Sequence, residues 1–283
     1  MKRTALLFIL FIAFSFSKAQ SNFNIDFYQN LVNQKENNLA LLYLNKCELV
    51  TENLSILDSI YFYKGKTHFN TKQFKESVFS FNKISGNSTF YIQSKMYLSI
   101  GLLYLDSSEK YINNELKPIK GDSIFNQIKT ITMASVALLN NNLLAYDSLI
   151  LQLKDTLYYF SNLQVSLIKW RKKSTIKTKN PLIAAGLATI VPGLGKVYGG
   201  KPYDGLSTFL THVPLGLLVW ESYYNVSVNS ARFITFASIT SLFYAGNILA
   251  SYHYVYKNRK EEKIDRKNEI LLQCNIMLRN YYN

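Results

Sequence analysis

Two regimes of apolar patterning divide this chain. Over residues 21–168 apolar side chains recur at three- and four-residue spacing, glycine and proline are sparse, and long amphipathic windows follow one another. That pattern predicts successive helices and carries almost no strand or hairpin signal. Over residues 181–256 the apolar positions close up into three stretches, 181–191, 203–224 and 231–256. The first is about half a bilayer in helical rise, and each of the others is long enough to span one. Residues 225–230 are polar and read as a short turn, so the expected unit is a half-span followed by a helical hairpin. Beyond Tyr256 the amphipathic period returns. Ile264, Leu271, Cys274, Leu278 and Tyr281 share one face opposite the charges, which predicts a tail helix over 257–283. Such a tail can extend the last span, lie on a membrane surface or dock on the preceding helices.

The densest local signal lies between the first two apolar stretches. Pro192, Gly193, Leu194, Gly195, Tyr198, Gly199, Gly200 and Gly205 fall within fourteen residues. Proline lacks the N–H and glycine favours open or left-handed backbone, so this cannot be ordinary helix. In lipid such backbone persists only where protein, water or headgroups satisfy it. The segment therefore marks a broken insertion into a bilayer, and Pro192-Gly193 suits the two central positions of a type II turn. Backbone N–H groups at Gly193, Gly195, Gly199 and Gly200, beside Lys196 and Lys201, offer contact to a lipid phosphate. The bland alternative, a purely structural break, is favoured. A nucleotide loop is excluded: no Gly-Lys-Ser/Thr ending and no preceding strand occur.

Within the hairpin, Ala237, Ser241 and Ala245 recur every fourth residue, and Gly246 and Ala250 form a second such pair. Small residues let helix backbones approach in lipid, which also admits a homo-oligomer. Asn247 is placed to bond across to Thr211 or Ser207. Tyr198, Tyr203, Trp220, Tyr223, Tyr224, Tyr252, Tyr254 and Tyr256 fall near the predicted ends, as an aromatic belt does. Asp204 and Glu221 sit near the ends of the second stretch. His212, two residues before Pro214, is more interior; a proton path would need several such groups on one face.

Charge sharpens the partition. The chain carries a formal charge of +14, yet residues 20–168 hold 13 Lys+Arg against 12 Asp+Glu. Residues 169–179 then add six positive charges and no negative one. Basic residues beside an apolar span meet anionic headgroups, which assigns that role to Arg171, Lys172 and Lys173 in a linker over 169–180, with Lys196 and Lys201. Nucleic acid is not expected. Lys2 and Arg3, a short apolar run over 5–16, and Ser17 and Ala19 form a secretory signal over residues 1–19. Residues 21–180 are then expected outside the cytoplasm, and two crossings would return the tail to that side.

The remaining chemistry is sparse. Cys47 and Cys274 are too few and too far apart for a disulfide framework and read as inert thiols. His68, His212 and His253 are scattered, with no metal-ligand cluster, nucleophile elbow or coupled carboxylates, so no catalytic residue, cofactor or metal is expected.

Two resemblances add to this reading. Residues 57–84 resemble a tetratricopeptide repeat: Tyr61 stands at the early aromatic position, Gly65 at the small one, Ser77 at the small position of the second helix and Phe81 at the following aromatic. Gly101 with Tyr97 and Tyr104, and Ser135 with Ala134 and Ala137, echo the first half at later units; residues 140–149 look like a turn into a second helix, and residues 31–44 like a degenerate first unit. The run Pro192-Gly193-Leu194-Gly195-Lys196-Val197-Tyr198-Gly199-Gly200, followed by Phe243-Tyr244-Ala245-Gly246-Asn247, resembles a functionally uncharacterised family of bacterial envelope membrane proteins, and more distantly the two-transmembrane-helix domain. The resemblances imply an all-α protein, a tetratricopeptide-like array over 21–168 followed by a membrane domain over 181–256. The expected role is a scaffold at the bacterial inner membrane, with the array in the periplasm holding an envelope protein or peptide. The other reading is a membrane-active hairpin: an oligomeric pore, a lipid-contacting factor or an assembly factor.

Overall fold

A computed structural model of the protein describes residues 23–153, 161–174 and 178–282; the signal-like residues 1–19 lie outside them. The structure is 81% helix, and no strand occurs among the described residues, so its cores are built from helix faces alone. The chain forms two compact units, one of residues 1–168 with 270–283, the other of residues 169–269.

Eight helices in chain order make most of the first unit: α1 (Ile25–Asn33), α2 (Asn37–Val50), α3 (Leu54–Asn70), α4 (Phe74–Asn82), α5 (Tyr91–Tyr104), α6 (Glu109–Leu116), α7 (Ser123–Leu139) and α8 (Leu143–Ile150). Their starts follow local chemistry. Asn24, Asn53, Ser108, Asp122 and Asn142 each cap a helix by accepting a backbone N–H in its first turn. Four turns share one form. Lys35, Lys72, Asp106 and Asn141 adopt left-handed backbone with φ of 63°, 62°, 57° and 58°. The next N–H in each returns to a carbonyl five residues back, as in Glu36 to Leu31 and Gln73 to His68. Each turn joins the two helices of one pair.

Each helix packs on its successor, and α3 also meets α5, and α5 meets α7. The closest approach in the second pair is set by Gly65. A Cβ there would lie 2.6 Å from the Phe81 ring, and the Ser77 hydroxyl donates to the Gly65 carbonyl at 2.9 Å. Aromatic rings continue the packing: Phe81 stacks on Tyr97 (5.6 Å, 19°) and Phe74 on Tyr104 (4.0 Å, 5°). Tyr61, at the expected aromatic position, is only half-buried and lies under the Lys83 ammonium; the neighbouring Phe62 fills the core, 3% exposed.

Two further helices belong partly to each unit. In α9 (Ser161–Ser174) Leu163 and Leu167 are buried in the first unit. Helix α13 (Ala231–Tyr282) runs unbroken for 52 residues, about 78 Å at helical rise. Of the placements the sequence leaves open for the tail, the structure has it continue the last apolar stretch as one helix, because no glycine or proline follows Gly246 to interrupt it. Its last turns are part of the first unit. Ile270, Leu271, Cys274, Met277 and Leu278 are buried there, with Cys274 beside the Ser135 side chain. Burial pushes the Cys274 thiol up to about 12, against a smaller downward pull from the Ser135 hydroxyl.

Candidate functional site

The second unit holds the glycine-rich segment. Helix α10 (Pro181–Ile190) starts with Asn180 as its cap and Pro181 in its first turn, a position where the missing N–H costs nothing. It stops at Val191. Pro192 and Gly193 then form the turn expected of them: Gly193 has φ 89°, ψ −19°, and the Leu194 N–H returns to the Val191 carbonyl at 3.1 Å. A short helix, α11 (Leu194–Gly199), ends on left-handed Gly200 (φ 104°), and the Lys201 N–H closes back on the Lys196 carbonyl. Helix α12 (Pro202–Asn225) follows at once and keeps Pro214 in its interior.

The glycines are close-packing positions. A Cβ on Gly193 would sit 2.0 Å from the Gly205 carbonyl oxygen, and one on Gly205 would sit 2.5 Å from a Val197 methyl. At Gly195 a Cβ would meet the Ala184 carbonyl at 2.2 Å and Ser251 at 2.7 Å; at Gly199 it would meet the Tyr254 ring at 2.8 Å. The segment thus lets α10, α11 and the start of α12 close against one another and against the middle of α13. The space a side chain would need at Gly193 is filled by the Gly205 carbonyl.

The lysines of the segment are tied into the protein. Lys196 donates to the Thr208 hydroxyl at 2.8 Å; Lys201 pairs with Asp204 at 3.2 Å and lies over the Tyr254 ring. The Tyr198 hydroxyl accepts the Asn180 N–H at 3.0 Å. Arg171, Lys172 and Lys173 occupy the last turn of α9, where Lys173 pairs with Glu262 at 3.4 Å and lies over the Trp170 ring. Trp170 is 4% exposed and donates its indole N–H to Glu269 at 2.9 Å.

The predicted small-residue contacts are realised differently. Asn247 is buried but reaches toward the Ala188 carbonyl of α10, a long contact of 3.5 Å, while Thr211 bonds back to the Ser207 carbonyl in its own helix. The bond expected from Asn247 to α12 is therefore not made; its partner is on α10. Gly246 is exposed, with nothing within 4 Å of a Cβ among the described residues. Ala237, Ser241 and Ala245 line an open groove of about 390 Å³ with Gly216, Val219 and Tyr244. His212 is buried, bonded to the Thr208 carbonyl at 2.8 Å and ringed by Tyr244 at 6.3 Å.

Much apolar surface of this unit faces outward. Leu206, Leu210, Leu217 and Trp220 on α12, and Leu242, Phe243 and Leu249 on α13, are all more than half exposed. Among the described residues one helix, α13, is long and apolar enough to cross a membrane, and only 6% of its most apolar 18-residue window is buried. No group of three or more His, Cys, Asp or Glu capable of holding a metal occurs among the described residues. Sequence reasoning missed Lys179 and Arg259, which the fold brings beside Lys173; their separation in sequence hid them. No protein-family model, curated protein or solved structure matches this chain.

Proposed function

We propose that this chain is a membrane-anchored interaction scaffold of the bacterial cell envelope, with a tetratricopeptide-like array as its binding part and the hairpin as its anchor. The repeat reading is supported by the left-handed turns at Lys35, Lys72, Asp106 and Asn141. They stand 37, 34 and 35 residues apart (35 to 72, 72 to 106, 106 to 141), close to the 34-residue period of that repeat. Stacked helix pairs leave an extended concave face suited to a peptide or protein segment.

The observation that carries the anchor is the division of α13. Its apolar part is exposed, while Cys274 and Leu278 near its end are buried in the array. An apolar helix surface of that size is unstable in water and stable in lipid. Because the end of α13 packs with the array, both lie on the same side of any membrane, so the chain between them crosses an even number of times. On this reading the signal-like residues 1–19 put that side in the periplasm and the anchor in the inner membrane, and α12, 24 residues long though less apolar than α13, is the second crossing, with Asp204 and Glu221 near its ends.

The test is flotation of the full-length protein with liposomes, then crosslinking and mass spectrometry from native membranes. A defined envelope protein crosslinked to the array supports the scaffold; protein that stays in the aqueous fraction without detergent contradicts it. The open groove beside Ala237, Ser241 and Ala245 favours a second reading, a hairpin that itself acts in the membrane by packing against other helices. Replacing the hairpin by an unrelated anchor separates the two: activity survives in the first and is lost in the second.

A further inference from the structure

The second unit contains a cationic pocket that no part of the scaffold reading uses. It has a volume of about 240 Å³ and is lined by Lys173, Thr178, Lys179, Val255, Arg259 and Glu262, with Gly199 at its base. Three cations face one anion. Glu262 is already matched by Lys173 at 3.4 Å. Lys179 and Arg259 have no ion-pair partner among the described residues, so two positive charges converge unneutralised. The base is apolar: Val255 is 3% exposed. Gly200 lets the Lys179 side chain swing in, since a Cβ there would stand 3.1 Å from the Lys179 Nζ.

We infer that this pocket binds a phosphate group, in the form that a membrane phospholipid presents. Arginine offers a planar donor fork that fits two phosphate oxygens, and lysine adds a point charge and a donor. The Thr178 hydroxyl is a further donor. The volume falls below the ~300–1,000 Å³ of pockets that enclose drug-sized ligands, so a headgroup fits the space better than a nucleotide. The setting agrees. Val255 and Tyr256 close the apolar stretch of α13, Tyr252, Tyr254 and Tyr256 mark the aromatic belt, and Arg259 stands one turn beyond. The lipid assignment rests on the membrane reading; the phosphate chemistry does not, and free phosphate carries the same groups.

The test is native mass spectrometry of the full-length protein released from nanodiscs containing equal phosphatidylglycerol and phosphatidylcholine. The expected result is preferential retention of phosphatidylglycerol. K179A/R259A lowers that retention by at least about tenfold, since it removes two charged donors that line the pocket. K260A/K263A removes the same charge from exposed α13 positions outside the pocket lining and leaves it within about twofold. If both double variants lose lipid equally, the charge is diffuse and the pocket is refuted. If no preference for phosphatidylglycerol appears and inorganic phosphate does not bind either, the pocket is equally refuted. Displacement of the lipid by excess inorganic phosphate supports the phosphate site and assigns it to the soluble anion. Failure of the protein to enter nanodiscs contradicts the membrane reading alone; a loss of inorganic-phosphate binding in K179A/R259A, measured by calorimetry in detergent, would still support the site.

Discussion

The ring of Tyr282 lies 6.3 Å from that of Tyr97, at the far end of a helix that begins 51 residues earlier at Ala231. The last turns of α13 are thus part of the core that α5 and α7 build. Burial pushes the Tyr282 phenol above its ordinary range, with the nearby Tyr281, Tyr97 and Asp122 adding to the rise. The end of a helix whose earlier part is apolar and exposed is thus buried in the first unit.

Removing one side chain of that contact is expected to destabilise the array. Leu278 is fully buried. Leu278→Ala should cost about 2–5 kcal/mol through lost transfer energy and the cavity left behind. Thermal unfolding followed by circular dichroism checks this. The Cys274 thiol gives a second readout. Its value of about 12 leaves almost no thiolate at pH 8, so it should resist maleimide in the folded protein and react once Leu278→Ala frees the helix end.

The glycines of the insertion segment should separate into two classes. Gly193→Ala places a methyl 2.0 Å from a backbone oxygen and forces left-handed backbone on alanine. Overpacking of about 1–3 kcal/mol adds to about 1 kcal/mol of backbone strain. Gly195→Ala meets the Ala184 carbonyl and should behave alike. Gly246→Ala meets nothing within 4 Å and, lying inside a helix, should be neutral or stabilising by about 0.5–1 kcal/mol. Protease resistance in detergent ranks the three; a Gly246→Ala loss as large as that of Gly193→Ala would show Gly246 to be packed against a second copy.

Much of this arrangement was legible in the sequence. The Pro192-Gly193 turn and the pairing of small Gly65 with aromatic Phe81 are local or nearly local effects, in which residue type dictates backbone or spacing. The parts that escaped depend on tertiary choice. Tyr61 and Phe62 are both aromatic, and only the packing of α3 on α4 decides which turns inward. Polarity changes after Tyr256, and sequence alone leaves open whether the tail continues the last apolar stretch; polarity does not break a helix, no residue there does, and one helix runs through. Asn247 found α10 rather than α12, because the sequence shows the half-length stretch over 181–191 but not which helix it packs against. Lys179 and Arg259 stand 80 positions apart and meet only in the folded unit.

Acid should weaken the array through Glu48. Burial alone would raise its carboxyl; the Lys64 and Lys83 ammonium groups bonded to it outweigh that and hold it below its ordinary value of 4.5. A carboxyl lowered in the folded state contributes stability above its unfolded value, and that contribution is lost as pH falls through the lowered value. Glu48→Gln should therefore be less stable than the native chain at pH 7 by no more than about 1 kcal/mol, because the pair is partly solvent-screened. The difference should shrink as the pH drops below about 4. Chemical denaturation at pH 7, 5 and 3 measures it.

The side of the membrane on which the two ends of the first unit lie decides the account. Lys110 on α6 and Asn280 on α13 are both exposed, and the native cysteines are buried, so Lys110→Cys and Asn280→Cys report each end alone. A membrane-impermeant maleimide added to cells with a permeabilised outer membrane should label both positions to the same extent. Labelling of position 110 with protection of position 280 until the inner membrane is lysed would place an odd number of crossings between them and contradict the scheme.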